Sequence, residues 1–317
     1  MRYPARIYLR EVAPRDGLQS EPTHLSTDEK IALIDLLSGA GFAQINATSF
    51  VSPRAVPQMA DAADVMSRIR RNPSVIYDAS VPNVKGAERA LASQMDSLVV
   101  FVSASDAGSR SNVGRSTDDA LAEAEQVIAM ARAAGKRAVG TISKAFGSAY
   151  EGVTPVAQVL RIAQRFVEAG ATDLSLGDTS GEAGPKQVAA MVGQLLERFP
   201  DTPLALHFHD TRGLALANIL AAMDAGATHF DSAVGGIGGS PFTRNSSGNV
   251  STEDLIHMCE DLGVETGVDL DLVLEGYKFL EEKLGHPLPG KLGKVGRSKK
   301  GTMPRQTPRA PQDKTIF

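Results

Sequence analysis

Short apolar runs of strand length alternate with longer segments of helical pattern from one end of the chain to the other. The runs are Arg6–Ala13, Phe42–Ser49, Ser74–Val81, Ser97–Ser103, Ala138–Lys144, Thr172–Gly177, Leu204–His209 and Phe230–Val234, which makes eight strands. The segments between them carry helix start signals. Ser26-Thr-Asp-Glu29 and Ser116-Thr-Asp-Asp119 place a hydroxyl at the cap and acids in the first turn, and Thr154-Pro155 and Gly184-Pro185 put proline where a helix can begin. Regular alternation implies right-handed βαβ units and a parallel sheet, and eight consecutive units are the count that closes a barrel. The runner-up, a doubly wound open sheet, normally announces a nucleotide site with a glycine fingerprint after its first strand. Here the first run ends in Pro14-Arg15-Asp16-Gly17, so the pattern predicts an α/β chain with a (β/α)8 TIM barrel and a C-terminal helix over residues 1–289.

The glycine-rich stretch Gly235-Gly-Ile-Gly-Gly-Ser240 follows the eighth run without matching G-x-G-x-x-G and reads as a loop over the barrel mouth. Residues 290–317 are rich in Lys, Arg, Pro and Gly with little apolar periodicity, and they read as a basic tail, disordered or packed on a partner subunit.

Composition narrows the classes. With 317 residues, 42% hydrophobic and 22% charged, the chain has an ordinary globular make-up, and its net charge of -4 leaves no broad footprint for nucleic acid. The first residues lack an apolar signal-peptide core and no later stretch is apolar enough to span a bilayer, so a cytoplasmic location without membrane contact is expected. The single cysteine, Cys259, excludes an internal disulfide and reads as a packed thiol in a helix over Thr252–Leu262.

In such a barrel, catalytic groups sit where strands meet their following loops. The polar residues of this chain collect there: Arg15 and Asp16 after the first strand, Asn46 and Ser49 on the second, Asn83 after the third, Ser103 and Ser105 near the fourth. Lys144, Asp178, His207, His209 and Asn249 continue the ring. A strand repeats every two residues, so His207 and His209 project from one face, where two imidazoles can grip one ion. A lone His-x-His is more often a pair of hydrogen-bonded core histidines; Asp16 and Asn249 change that balance. Asp16, His207, His209 and Asn249 form an oxygen and nitrogen set without sulfur, suited to octahedral Mg2+ or Mn2+ rather than closed tetrahedral zinc.

These residues carry a resemblance that spans nearly the whole barrel. Glu11-Val-Ala-Pro-Arg-Asp-Gly-Leu-Gln19, Ala47-Thr-Ser-Phe-Val-Ser-Pro53, Pro82-Asn-Val-Lys-Gly86, Leu176-Gly-Asp-Thr179, His207-Phe-His-Asp-Thr211 and Ser247-Gly-Asn-Val250 resemble, in order, the motifs of the hydroxymethylglutaryl-CoA lyase family of the DRE-TIM metallolyase superfamily. The resemblance implies retro-Claisen cleavage of a 3-hydroxy-3-methylglutaryl thioester to acetyl-CoA and a keto acid. It implies Asp16, His207, His209 and Asn249 as ligands of a divalent cation, and Arg15 as stabiliser of the developing enolate. It further implies acyl-CoA contacts at Asn83, Lys85 and Ser105, and a homodimer or higher homo-oligomer.

Two positions depart from the family's pattern. Ser240 stands where the family's loop carries a proton-donating cysteine, and a hydroxyl is a far weaker acid than a thiol of pKa about 8.5. Asn46 stands where the family has a glutamate, which removes a negative charge while keeping an oxygen that accepts. With Arg15, these form the expected catalytic set. Both changes touch the reacting centre while the cation set survives, which points to a changed 3-hydroxyacyl-CoA or 3-hydroxy acid substrate. The alternatives are a related aldolase or Claisen condensing enzyme, and a catalytically silent barrel kept for binding.

Overall fold

The computed structural model describes residues 2–239 and 247–297. Eight parallel strands close into one barrel: β1 (Tyr8–Glu11), β2 (Gln44–Ser49), β3 (Ile76–Ser80), β4 (Ser97–Ser103), β5 (Arg137–Ser143), β8 (Asp173–Asp178), β9 (Leu204–Phe208) and β10 (His229–Ser232). Each expected run overlaps one of them, with Arg137, Asp178 and His229 falling one residue outside. β1 closes the ring against β10, with Tyr8 opposite His229 and Glu11 opposite Ser232. A two-stranded hairpin, β6 (Gly147–Ser148) and β7 (Gly152–Val153), stands outside the barrel. Strands such as β4 are buried almost without interruption because helices cover one face and the barrel interior the other.

The helices lie between the strands: α1 (Thr27–Ser38), α2 (Ala62–Arg68), α3 (Val84–Ala92), α4 (Asp106–Val113), α5 (Thr117–Ala133), α6 (Val156–Ala169), α7 (Pro185–Arg198) and α8 (Ala215–Asp224). Their starts follow the local chemistry. Ser26 accepts from Glu29 N while the Glu29 side chain returns to Ser26 N, a capping box, and Ser116 accepts from Asp119 N. Each such cap contributes about 1 kcal/mol.

α9 (Thr252–Leu262) spans the residues expected of it and buries Cys259, whose thiol burial pushes up to about 12. α10 (Leu270–Leu284) packs on α1, and one further turn, α11 (Leu292–Val295), is tied back by Lys291 N and Leu292 N donating to Asp254. Of the expected basic tail, residues 298–317 lie outside the described residues. No helix among the described residues is long and apolar enough to cross a membrane.

Candidate metal centre and active site

Immediately after β1 the chain makes one π-helical turn, Ala13–Gly17, in which the Val12 carbonyl accepts from the backbone N–H of Arg15, Asp16 and Gly17. Such turns concentrate at functional sites. This one swings the Arg15 and Asp16 side chains over the barrel mouth. It packs so tightly that a Cβ on Gly17 would lie 2.6 Å from the Ile237 side chain.

Asp16 meets the two histidines there. Their Nε2 atoms are 3.1 Å apart, and Asp16 Oδ2 lies 3.8 Å from His207 Nε2 and 3.7 Å from His209 Nε2. One ligand atom from each residue falls within 4.8 Å of the others. Nitrogens bound at right angles to one ion at about 2.1 Å stand about 3 Å apart, so the histidine spacing fits a shared cation.

The fourth residue arrives by a separate route. Segment 247–251 returns alongside the end of β9, with Asp210 N bonded to Gly248 O and Val250 N to Phe208 O, and this pairs Asn249 with His209. Asn249 Nδ2 donates to Asp16 Oδ2 at 2.9 Å and to Ile237 O at 3.0 Å. Its Oδ1 is buried without a hydrogen-bond partner among the described residues, an orphan acceptor of the kind a cation satisfies. Gly238 makes this approach possible: its φ is +101°, and a Cβ there would lie 2.6 Å from Asn249 Nδ2.

Electrostatics set the charge state of this cluster. Burial alone would raise Asp16, but Arg15, the two histidines and the Asn249 amide outweigh it and hold the carboxyl down to about 2. His209 is pushed down to about 4 by burial and by His207, which keeps its imidazole neutral for ligation. His207 Nδ1 faces Asp231 Oδ2 at 3.1 Å, so Asp231 sets the ring's orientation and directs Nε2 to the cluster. Arg15 Nη1 bonds Asp16 Oδ1 at 2.7 Å and Gln19 Nε2 reaches the same oxygen at 3.1 Å. Arg15 Nε is buried and unpaired among the described residues, a donor beside the cluster.

The other expected site residues lie around the rim. Asn46 sits on β2, 3% exposed, and bonds Asp78 rather than any member of the cluster. Asn83 and Ser105 are N-caps, accepting from Gly86 N at 2.8 Å and Gly108 N at 2.9 Å. Lys85 is exposed on α3. A cavity of about 240 Å³ beside Asn83 is lined also by Ser103, Ser109, Asn112 and Arg115. Ser240 lies outside the described residues. Several strand-end polar groups serve the loops: Asp178 accepts from Glu182 N and Ala183 N, and Ser49 donates to Ser80 O.

Sequence reasoning did not single out Asp231, Glu11, Arg10 or Asp78. Glu11 Oε1 accepts from Ala13 N and Val234 N while Oε2 accepts from Thr252, so one buried carboxyl pins the first loop to the last. The available signal was a charged residue inside an apolar strand, which is costly unless paired.

Known proteins share this fold and much of this sequence. Hydroxymethylglutaryl-CoA lyase YngG of Bacillus subtilis is 44% identical over 298 residues, 94% of this chain and all of that one. The crystal structure of the Bacillus subtilis HMG-CoA lyase superposes with a TM-score of 0.91 over 93% of this chain and 99% of that one, at 44% identity. An HMG-CoA lyase from Acinetobacter baumannii, solved in complex with coenzyme A and 3-methylmalate, gives a TM-score of 0.90 at 39% identity over 94% of this chain and 98% of that one. Residues 6–278 match the HMGL-like family, a span that runs from the strand before Asp16 to beyond Asn249. With its barrel, the family match over residues 6–278 and its relatives in agreement, the chain belongs to the HMGL-like family.

Proposed function

We propose that this chain is a divalent-cation-dependent carbon–carbon lyase that cleaves 3-hydroxy-3-methylglutaryl-CoA, or a close 3-hydroxyacyl-CoA, by a retro-Claisen reaction. The observation that carries the reading is the cluster of Arg15, Asp16, His207, His209 and Asn249 at the C-terminal mouth of the barrel. Asp16, His207, His209 and Asn249 hold the cation, Mg2+ or Mn2+, which when bound supplies Lewis-acid polarisation of substrate oxygens. The acyl-CoA thioester enters past the rim that carries Asn83, Lys85 and Ser105. A homodimer and a cytoplasmic site of action belong to the same reading.

In the cleavage, the 3-hydroxyl gives up its proton and the bond between C2 and C3 breaks. C3 becomes the ketone carbon of the keto acid. The bonding pair stays with C2 and spreads onto the thioester oxygen as an enolate, and C2 then takes a proton to become the methyl of acetyl-CoA. Arg15 matters at the enolate stage. Its guanidinium is fixed by Asp16, and its unpaired Nε offers a charged donor to the oxygen on which charge develops. Asp16 remains ionised throughout the working pH range because its neighbours stabilise the carboxylate.

The test is an assay of purified protein with Mg2+ or Mn2+ and 3-hydroxy-3-methylglutaryl-CoA, following acetyl-CoA and acetoacetate together. Cleavage is expected, with loss on chelation and at least a 1000-fold loss in His207→Ala, roughly the scale at which loss of the bound cation removes its charge stabilisation. No cleavage of this thioester or of a panel of related 3-hydroxyacyl-CoA compounds overturns the reading.

A further inference from the structure

Asp78 has no part in the chemistry above, yet it is fully buried, at 0% exposure. It stands on β3 opposite Asn46, and its carboxylate gathers three neighbours. Gln44 donates Nε2 to Oδ2 at 2.6 Å, Asn46 donates Nδ2 to Oδ1, and the Arg10 guanidinium lies 3.8 Å away. Arg10 in turn donates Nε to Asp231 Oδ1 at 2.8 Å and Nη2 to Oδ2, and Asp231 orients His207. One buried cation is thus shared by the carboxylate behind a metal-site histidine and the carboxylate behind Asn46.

This arrangement constrains the Asn46 amide. A carboxylate accepts and cannot donate, so the amide must turn its NH2 toward Asp78. Although burial raises Asp78 to about 6, Arg10 and the two amides restrain the rise, and at neutral pH the group is mostly a carboxylate. The carbonyl oxygen of Asn46, an acceptor only, takes no hydrogen bond from the described residues. Gln44 and Asn46 are two residues apart on β2 and share its inward face. The register runs from Gln44 through Arg10 and Asp231 to His207, which places Asn46, two residues nearer the mouth, in the register row of His209.

We propose that Asp78 is a positioning residue that fixes the polarity of the Asn46 amide, so that Asn46 Oδ1 accepts a hydrogen bond from the substrate's 3-hydroxyl and the site selects hydroxylated thioesters over deoxy ones. A hydroxyl can donate to this oxygen; a hydrogen atom cannot, and a carboxylate is repelled. An amide free to turn would offer NH2 as readily as oxygen and lose the distinction. The proposal rests on the lyase reading and refines it to one contact.

Two thioether analogues of the acyl-CoA, one with the 3-hydroxyl and one without, test it. Their thioester carbonyl is replaced by methylene, so no enolate can form and neither is cleaved. Binding is measured by calorimetry on the full chain loaded with Mn2+. The wild type is expected to bind the hydroxylated analogue roughly fivefold to tenfold more tightly, the scale of one net hydrogen bond. In Asp78→Asn, whose own NH2 lets Asn46 turn, the ratio falls below about twofold while Mn2+ affinity changes less than about threefold. Asn46→Leu gives the same collapse, and adding Asp78→Asn to it changes the ratio no further.

If the wild type binds neither analogue, the proposed contact is overturned, and the lyase reading falls with it only where the thioester itself is not cleaved. If it binds both equally, or keeps its ratio in Asp78→Asn, that reading stands and the role of Asp78 is overturned. Should Asp78→Asn fail to melt cooperatively, Asn46→Leu decides alone: a collapsed ratio supports the proposal and an unchanged ratio overturns it.

Discussion

The two sides of the barrel mouth are built differently. On the side of β1, β9 and the return after β10, the ligand groups contact one another directly: Asp16 touches Arg15, Gln19 and Asn249, and the histidines face each other at 3.1 Å. On the side of β2 and β3, Asn46 touches none of these and depends on Asp78 behind it. The metal side therefore gathers charge at the surface of the site, whereas the amide side buries its charge one layer deeper and presents a neutral acceptor. Arg10 is the hinge between them, held by Asp231 and approached by Asp78. The difference teaches that the proposed cation site and the Asn46 amide are held by separate sets of contacts on different strands, so either can change without the other.

The largest effect that can break this contrast is expected at Arg15. Arg15→Gln should lower kcat by roughly 100- to 1000-fold, as removal of a donor to a developing oxyanion does, with Mn2+ affinity changed less than tenfold. Steady-state kinetics beside metal calorimetry would separate the two; an equal loss in both would make Arg15 a support for Asp16 rather than a partner of the enolate.

Next comes Asp231→Asn, expected to weaken Mn2+ binding by about 10- to 100-fold because the orientation of His207 relaxes. His209 offers the internal control, since among the described residues its buried Nδ1 has no hydrogen-bond partner to lose. Undiminished Mn2+ affinity in Asp231→Asn would mean that packing alone orients His207.

The smallest effect concerns the loops on the metal side. Burial raises Glu11 to about 8 and Glu253, which accepts from Gly235 N, to about 7. An acid whose folded value lies above its unfolded value of about 4.5 favours the folded state most at low pH, and that contribution is lost as pH rises through the folded value. Thermal stability should therefore fall between about pH 5 and pH 8, and Glu253→Gln should reduce the fall by about 2–4 °C. Melting curves across that range check it, and an identical slope in the variant would assign the pH dependence elsewhere.

The legibility of the molecule follows the range over which its causes act. The helix starts at Ser26, Ser116 and Pro185 appear where the local sequence places them, because capping is settled within four residues. His207 and His209 could be paired in advance because the two-residue repeat of a strand is a local property. Asn83 and Ser105 show the opposite case: their side chains cap α3 and α4, so a polar residue at a strand end is not by itself a ligand contact.

From the sequence alone came the alternation that closes a barrel, the family, and the proposed cation set of Asp16, His207, His209 and Asn249, all carried by short-range periodicity or contiguous motifs. Only the tertiary structure joined Arg10 to Asp231, 221 positions apart, and set Asp78 behind Asn46. Those partners meet because β10 closes on β1 and β3 lies beside β2, so a polar side chain in an apolar strand finds its counter-charge only once the ring is shut.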